Sequence, residues 1–153
     1  MGAHVTAMCS AEKADVVKSW GADIVVDYKT TSAEELQGNS YDAVFDAACF
    51  ESPSRFEGVL KDNGRYVLVG GSFYKMVRLK AFGRWYGRGA QRFRTLTQEV
   101  EVTENIERVL EMIARGEIEP AIERSVSLVE VPSAIQSLER RTVVGKIVVN
   151  NQM

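Results

Sequence analysis

Short apolar runs separated by polar segments with helical spacing set the pattern of the first half of this chain. Val5 to Met8 is one such run and Ile24 to Val26 is the next, while Ala14, Val17 and Trp20 between them recur at near-helical spacing. Ser10 is placed to cap that helix, Glu12 falls in its first turn where the positive end of the dipole favours an acid, and Gly21 stops it. Two strands joined by a single helix must run parallel. Ala43 to Ala47 predicts a third strand. Ser52-Pro53 then predicts a helix start, because proline is tolerated in the first turn, and Phe56, Val59 and Leu60 continue it at i, i+3, i+4 up to an Asn63-Gly64 turn. Arg65 to Val69 predicts a fourth strand, closed by Gly70-Gly71-Ser72, which let a backbone approach a ligand. Strands alternating with helices imply an α/β protein with a parallel sheet.

The segment from Lys75 to Arg94 changes character. It carries seven Lys or Arg, no acid, and the aromatics Phe82, Trp85, Tyr86 and Phe93, and it reads as mixed helix and loop. Thr103 is placed to cap the clearest helix, with Ile106, Val109, Leu110 and Ile113 on one stripe and Gly116 as its stop. Pro120 to Leu128 reads as extended, Pro132 to Arg141 as a helix with Ile135 and Leu138 inward, and Lys146 to Val149 as a closing strand.

The totals narrow the options. A chain of 153 residues with 45% hydrophobic and 26% charged residues suits a globular domain able to bury a core. Its net charge of -2 supplies no overall attraction to nucleic acid or acidic membrane. Cys9 and Cys49 lack a CxxC spacing, so reduced thiols are expected, and a single histidine, His4, with no paired ligands argues against a metal site. His4 itself reads as a packed or edge residue, and the two cysteines as small buried residues rather than nucleophiles. No run of about 18 apolar residues or signal-peptide pattern occurs, so a soluble, cytoplasmic protein is expected, or a mitochondrial one had a presequence been lost.

The phrases GAHVTAMCSAEK, GADIVVDYK, YDAVFDAA, GRYVLVGG, ARGEIEPAI and VPSAIQSLERRTVVGKIVV, in this order, resemble the medium-chain dehydrogenase/reductase family, in its NADPH-dependent, zinc-free quinone oxidoreductase-like branch. Phe73 to Val102 is the weakest part of the likeness. The resemblance implies a partial Rossmann-like parallel sheet flanked by helices over residues 1–120. Residues 121–153 would supply an extended segment, a helix and a strand that belong to the family's catalytic domain. It also implies that the family's N-terminal catalytic barrel and the first strand, glycine-rich turn and helix of its cofactor domain are missing. Gly83, Gly87 and Gly89 have the wrong spacing to replace that turn, whose backbone N–H groups hold a pyrophosphate.

An NAD site usually ends its second strand with an acid that bonds the ribose hydroxyls and would repel the 2′-phosphate of NADP. Here Met8-Cys9-Ser10 ends the strand without one, so a rim free of negative charge is expected, furnished with the Ser10 hydroxyl, the Lys13 ammonium and the Tyr28 phenol. This favours NADPH as cofactor. In the family, residues at the positions of Ser10, Lys13 and Tyr28 contact the 2′-phosphate side. Ala48 resembles the position beside the adenosine, and Gly71 and Phe73 those beside the nicotinamide. Gly145 and Lys146 match a closing Gly-Lys that either binds cofactor or is structural. The reaction implied is hydride transfer to a quinone or an α,β-unsaturated carbonyl, with no catalytic residue assignable in this chain.

Two other readings compete. One is a non-catalytic binding or regulatory module that keeps the sheet. The other uses Lys75 to Arg94 as a patch for nucleic acid or anionic membrane. Against it stands Glu99, Glu101, Glu104, Glu107 and Glu111, whose charge is expected to compensate those cations within the chain. An unpaired sheet edge further predicts self-association or poor solubility.

Overall fold

The computed structural model describes residues 2–36, 38, 40–71, 73–96 and 102–151, for 102 and 103 the backbone alone. The chain forms two compact units, 1–98 and 99–153; the boundary expected at 120/121 falls inside the second, just ahead of a strand.

The first unit opens with β1 (Thr6–Cys9), a short 3-10 turn, α1 (Ala14–Ser19) and β2 (Ile24–Asp27). The two strands are parallel, with Thr6 opposite Ile24 and Cys9 opposite Asp27. Gly21 ends the helical segment at φ +101°, a left-handed conformation that costs glycine little. Ser10 does stand where the helical segment begins, yet its side chain makes no capping bond, because a 3-10 turn at Ala11–Lys13 comes first.

A second sheet holds β3 (Tyr41–Asp46), β4 (Leu60–Leu68) and β5 (Arg92–Thr95), all parallel and in that order, with α2 (Phe73–Phe82) between β4 and β5. No helix follows Ser52-Pro53. Pro53–Phe56 is a single 3-10 turn, and Leu60 already lies in β4. Phe56, Val59 and Leu60 are buried as the stripe required, but Gly58 between them gives a helix little support, and sheet pairing claims Leu60. Asn63-Gly64 is accordingly an irregularity inside β4: Tyr41 pairs with Leu60 and Ala43 with Arg65. β5 escaped detection because Arg92-Phe93-Arg94 offers only one apolar residue to a period-two pattern.

The core of this unit sits on β4. Tyr66 is fully buried, stacked on Phe93 at 5.1 Å and tilted against Phe56 at 5.3 Å, with Leu60, Leu68 and Leu79 around it. No residue of β1 or β2 is fully buried. The two sheets share no ladder among the described residues. They nevertheless run the same way. The Tyr41 hydroxyl, at the start of β3, donates to Thr6 Oγ1 at the start of β1 (3.3 Å), and Tyr28, past the end of β2, stacks at 5.8 Å on Phe50, past the end of β3. The carboxyl ends of these strands therefore share one edge of the unit.

The second unit contains α3 (Val102–Ala114), β6 (Ile122–Ser127), α4 (Val131–Glu139) and β7 (Lys146–Asn150), with β6 and β7 parallel across the α4 crossover. The side chain of Thr103, the expected cap, lies outside the described residues, and Gly116 follows α3 at φ +69°. Ile135 and Leu138 were expected inward and are exposed; Val126, Ala134 and Val143 are buried instead. A sheet of two strands is too narrow to cover a full helical stripe, and the small Ala134 permits the closest approach.

Tyr66 links this packing to pH. Burial first, and then the hydrogen bond to Asp46 Oδ2 at 2.6 Å, raise its phenol above the ordinary tyrosine range. The neutral phenol's contribution is complete below the unfolded-state value of about 10 and drains away as pH rises beyond it. Tyr66→Ala should cost about 3–5 kcal/mol and Tyr66→Phe about 1.5–3 kcal/mol, the value of a hydrogen bond to a charged group. Melting curves from pH 8 to 11 should show a steeper alkaline loss in the native chain than in Tyr66→Phe. Equal losses would refute the assignment.

Candidate functional site

In parallel α/β sheets ligands bind beyond the carboxyl ends of the strands. On that edge the register brings Ser10 and Tyr28 together, each one residue past the Cys9–Asp27 pair, and the Tyr28 amide donates to the Cys9 carbonyl at 3.2 Å. Ser10 is buried, and its side chain hydrogen-bonds the Glu12 carboxylate, which with Lys29 Nζ at 3.2 Å holds Glu12 below the usual range. Lys13 is half-buried, donates its amide to the Ser10 carbonyl at 2.9 Å, and its charge acts on the Cys9 thiol. Tyr28 is exposed, its ring against Phe50.

The rim is not free of negative charge, contrary to expectation. β1 itself ends without an acid, but parallel pairing sets Asp27 beside Cys9, and Glu12 joins them from the turn. Both carboxylates are engaged: Glu12 by Ser10 and Lys29, Asp27 Oδ1 by the Lys29 amide at 2.9 Å. The hydroxyl, ammonium and phenol are present, with two acids held by local partners among them.

The neighbouring loop is organised by Asp46, which sequence inspection did not single out. Its Oδ1 accepts the amides of Ala48 (3.1 Å) and Cys49 (2.6 Å), and its Oδ2 accepts the Tyr66 hydroxyl. Its position at a strand end, two residues before Ala48, is the one signal, since an aspartate there can bond the backbone two residues on. Cys49 adopts φ +51°, and Lys75 Nζ from α2 donates to its carbonyl at 2.5 Å. Gly70 and Gly71 close β4 against this loop. A Cβ on Gly70 would meet the Ala47 carbonyl oxygen at 2.7 Å, and one on Gly71, at φ +118°, the Cys49 Cβ at 2.7 Å. Ala48 and Gly71 are thus neighbours on the edge, and Phe73, the first residue of α2, is 81% exposed.

Gly145 and Lys146 lie in the second unit. Gly145 has φ +99°, a Cβ there would collide with the Ala121 carbonyl, and the Lys146 amide donates to that carbonyl at 2.7 Å. These contacts explain the Gly-Lys pair as the start of β7. His4 is exposed. Both thiols are pushed up, Cys9 and Cys49 alike by burial first, with Asp27 and Asp46 adding to it respectively, so both stay protonated near neutral pH. Among the described residues no cluster of three or more His, Cys, Asp or Glu could hold a metal, and no helix is long and apolar enough to cross a membrane.

Parallel strands with their carboxyl ends on one edge define an α/β architecture in which ligands sit at that edge. The family model described as zinc-binding dehydrogenase matches residues 20–149, and the chain belongs to that family, within the medium-chain dehydrogenases/reductases and beside their quinone oxidoreductase-like members. A chloroplast envelope quinone oxidoreductase homolog of Arabidopsis thaliana is 46% identical over 68 residues, 42% of this chain and 21% of that protein. The mitochondrial NAD(P)H oxidoreductase RTN4IP1 of Mus musculus is 29% identical over a 168-residue alignment, 97% of this chain and 42% of that protein. The quinone oxidoreductase of Coxiella burnetii superposes with a TM-score of 0.81 at 20% identity, over 99% of this chain and 46% of that one. The chain therefore spans less than half the length of these relatives.

The glycine contacts give a graded expectation. Gly71→Ala should destabilise the chain by about 1–3 kcal/mol and increase reaction of the Cys49 thiol with a disulfide reagent. Gly21→Ala, at φ +101° with nothing within 4 Å of its added Cβ, should cost less. Thermal melts of the two variants check this, and a Gly71→Ala chain as stable as Gly21→Ala would remove the close-approach explanation.

Proposed function

We propose that this chain is the cofactor-side portion of an NADPH-dependent, zinc-independent oxidoreductase of the quinone oxidoreductase type, acting on a quinone or an α,β-unsaturated carbonyl. The observation that carries it is the convergence of Ser10, Lys13 and Tyr28 on the carboxyl-end edge of a chain with this family membership. The Lys13 ammonium and the Tyr28 phenol are donors suited to a phosphate dianion, and Ser10 adds its hydroxyl on release from Glu12. Glu12 is neutralised by Lys29, so the pair adds no net charge beside Lys13. Ala48 stands for the adenosine side, and Gly71 and Phe73 for the nicotinamide side. Gly145 and Lys146 serve the β7 turn.

When bound, the nicotinamide supplies the hydride. The described residues of this edge orient and hold. No glycine-rich turn in these 153 residues holds a pyrophosphate, so the chain by itself should bind the cofactor weakly.

Fluorescence titration of the chain with NADPH and NADH tests the reading. NADPH should bind about tenfold tighter, the worth of a charge-assisted bond, and Lys13→Glu with Tyr28→Ala should erase the difference. Equal, negligible binding of both would leave a non-catalytic module instead. β1 and β3 each pair on one side only among the described residues, leaving an open edge, and Phe45 on β3 is 72% exposed. Self-association through these edges is therefore expected, and sizing at micromolar concentration should show a species larger than the 17.0 kDa chain; a sharp monomeric peak would count against it.

A further inference from the structure

We propose that the Lys75 ammonium binds the pyrophosphate bridge of the dinucleotide, in the role that a glycine-rich turn would otherwise fill. This rests on the assignment of Ala48 to the adenosine half of NADPH and of Gly71 and Phe73 to its nicotinamide half. Cys49 lies between those halves. It follows Ala48 in the chain, and a Cβ on Gly71 would stand 2.7 Å from its own Cβ. Lys75 Nζ is held at that midpoint, 2.5 Å from the Cys49 carbonyl oxygen and 3.4 Å from that of Phe50. A dinucleotide laid from Ala48 to Gly71 crosses Cys49 with the link between its two nucleosides, and that link is the pyrophosphate.

The chemistry of Lys75 suits an anion as well as a loop. An ammonium carries three N–H donors, and the two carbonyls leave one for a ligand. Its charge reaches the edge, where it opposes the effects of burial and Asp46 on the Cys49 thiol. Lys75 is half-buried, so its attraction for an anion is screened less than at the open surface. It also stands in the first turn of α2, where the positive end of the dipole disfavours a cation, and that turn contains no acid. An anion at this point relieves both positive charges. Bracing the loop alone would need only a neutral donor.

The carboxylates beside the loop are engaged elsewhere. Asp46 gives one oxygen to the amides of Ala48 and Cys49 and the other to the Tyr66 hydroxyl. Glu51 accepts the Ala33 amide at 3.4 Å and pairs with Arg55 at 3.7 Å. Of the acids expected to compensate the basic segment that Lys75 opens, Glu99 and Glu101 lie outside the described residues, and Glu104, Glu107 and Glu111 belong to the second unit. The loop that Lys75 holds also adjoins the rim of Ser10, Lys13 and Tyr28, because Tyr28 stacks on Phe50 at 5.8 Å. The 2′-phosphate and the pyrophosphate of one molecule are then held by different cations, Lys13 and Lys75.

The test is an NMR titration of the full chain with NADPH and with adenosine 2′-monophosphate, which keeps the 2′-phosphate and lacks the pyrophosphate. Lys75→Gln retains an N–H for the Cys49 carbonyl and removes the charge. It should weaken NADPH about tenfold, the worth of a charge-assisted bond, and leave adenosine 2′-monophosphate within about twofold. If the variant does not fold by circular dichroism, inorganic pyrophosphate added to the native chain takes its place. It should shift the Cys49 and Phe50 amides and displace NADPH, while adenosine 2′-monophosphate stays bound. The proposal is overturned by NADPH binding that ignores Lys75→Gln, by equal losses for both ligands, which would leave Lys75 a brace of the loop, or by pyrophosphate that moves neither amide. Failure of NADPH and adenosine 2′-monophosphate alike to bind the native chain removes the NADPH reading and this inference together. Binding of both, unaffected by Lys75→Gln, removes this inference alone.

Discussion

The Asp46 carboxylate is the contact on which the first unit turns. One oxygen takes the hydroxyl of Tyr66 from the centre of the core and the other takes two amides from the loop at the strand's end. A partly buried carboxylate must be compensated by hydrogen bonds, and these donors come from both the packed interior and the ligand edge. The conformation of Ala48 and Cys49 is in this way tied to the aromatic stack of Tyr66 and Phe93. Gly70 and Gly71 let the end of β4 close against the same loop, and Lys75 braces it from α2. Core and edge are one hydrogen-bonded arrangement, so a change of packing at Tyr66 is transmitted to the loop where recognition is expected.

The division of the strands into two sheets is the second constraint. β1 and β2 pair with each other and make side-chain contacts to β3, but no ladder joins them to it among the described residues. Burial follows that division. Fully buried residues gather on β4 and around it, while β1 and β2 have none. Backbone pairing within each sheet and side-chain bridges between them preserve a common strand direction, which is what puts Ser10, Tyr28, Ala48 and Gly71 on one edge. A sheet edge with unsatisfied backbone groups is also a surface for association.

Charge is distributed with a similar lack of uniformity. A net charge of -2 conceals a first unit whose β5 side is cationic and a helix α3 rich in glutamate. On the carboxyl-end edge, acids and bases pair locally, Glu12 with Lys29, and both cysteine thiols stay protonated beside carboxylates. Along β5, Lys80, Arg84, Arg92 and Arg94 line a recess with no acid among the described residues. Two regions of one small unit thus differ in their electrostatics.

Much of the architecture was legible in the amino-acid order. Alternating apolar runs and helical stripes located every strand among the described residues except β5, and the long helix, because hydrophobic periodicity is a local property. The family phrases identified the relatives, and the helix stops at Gly21 and Gly116 followed from the left-handed backbone that glycine accepts. What the tertiary structure alone decided depends on partners distant in the chain. Sheet pairing drew Leu60 out of a helical stripe and into β4, and parallel register set Asp27 beside Cys9. Packing of α2 and its following turn on β5 collected Arg84, Arg92 and Arg94 into one recess. Local propensity cannot foresee these outcomes, since each is set by which strand a segment meets.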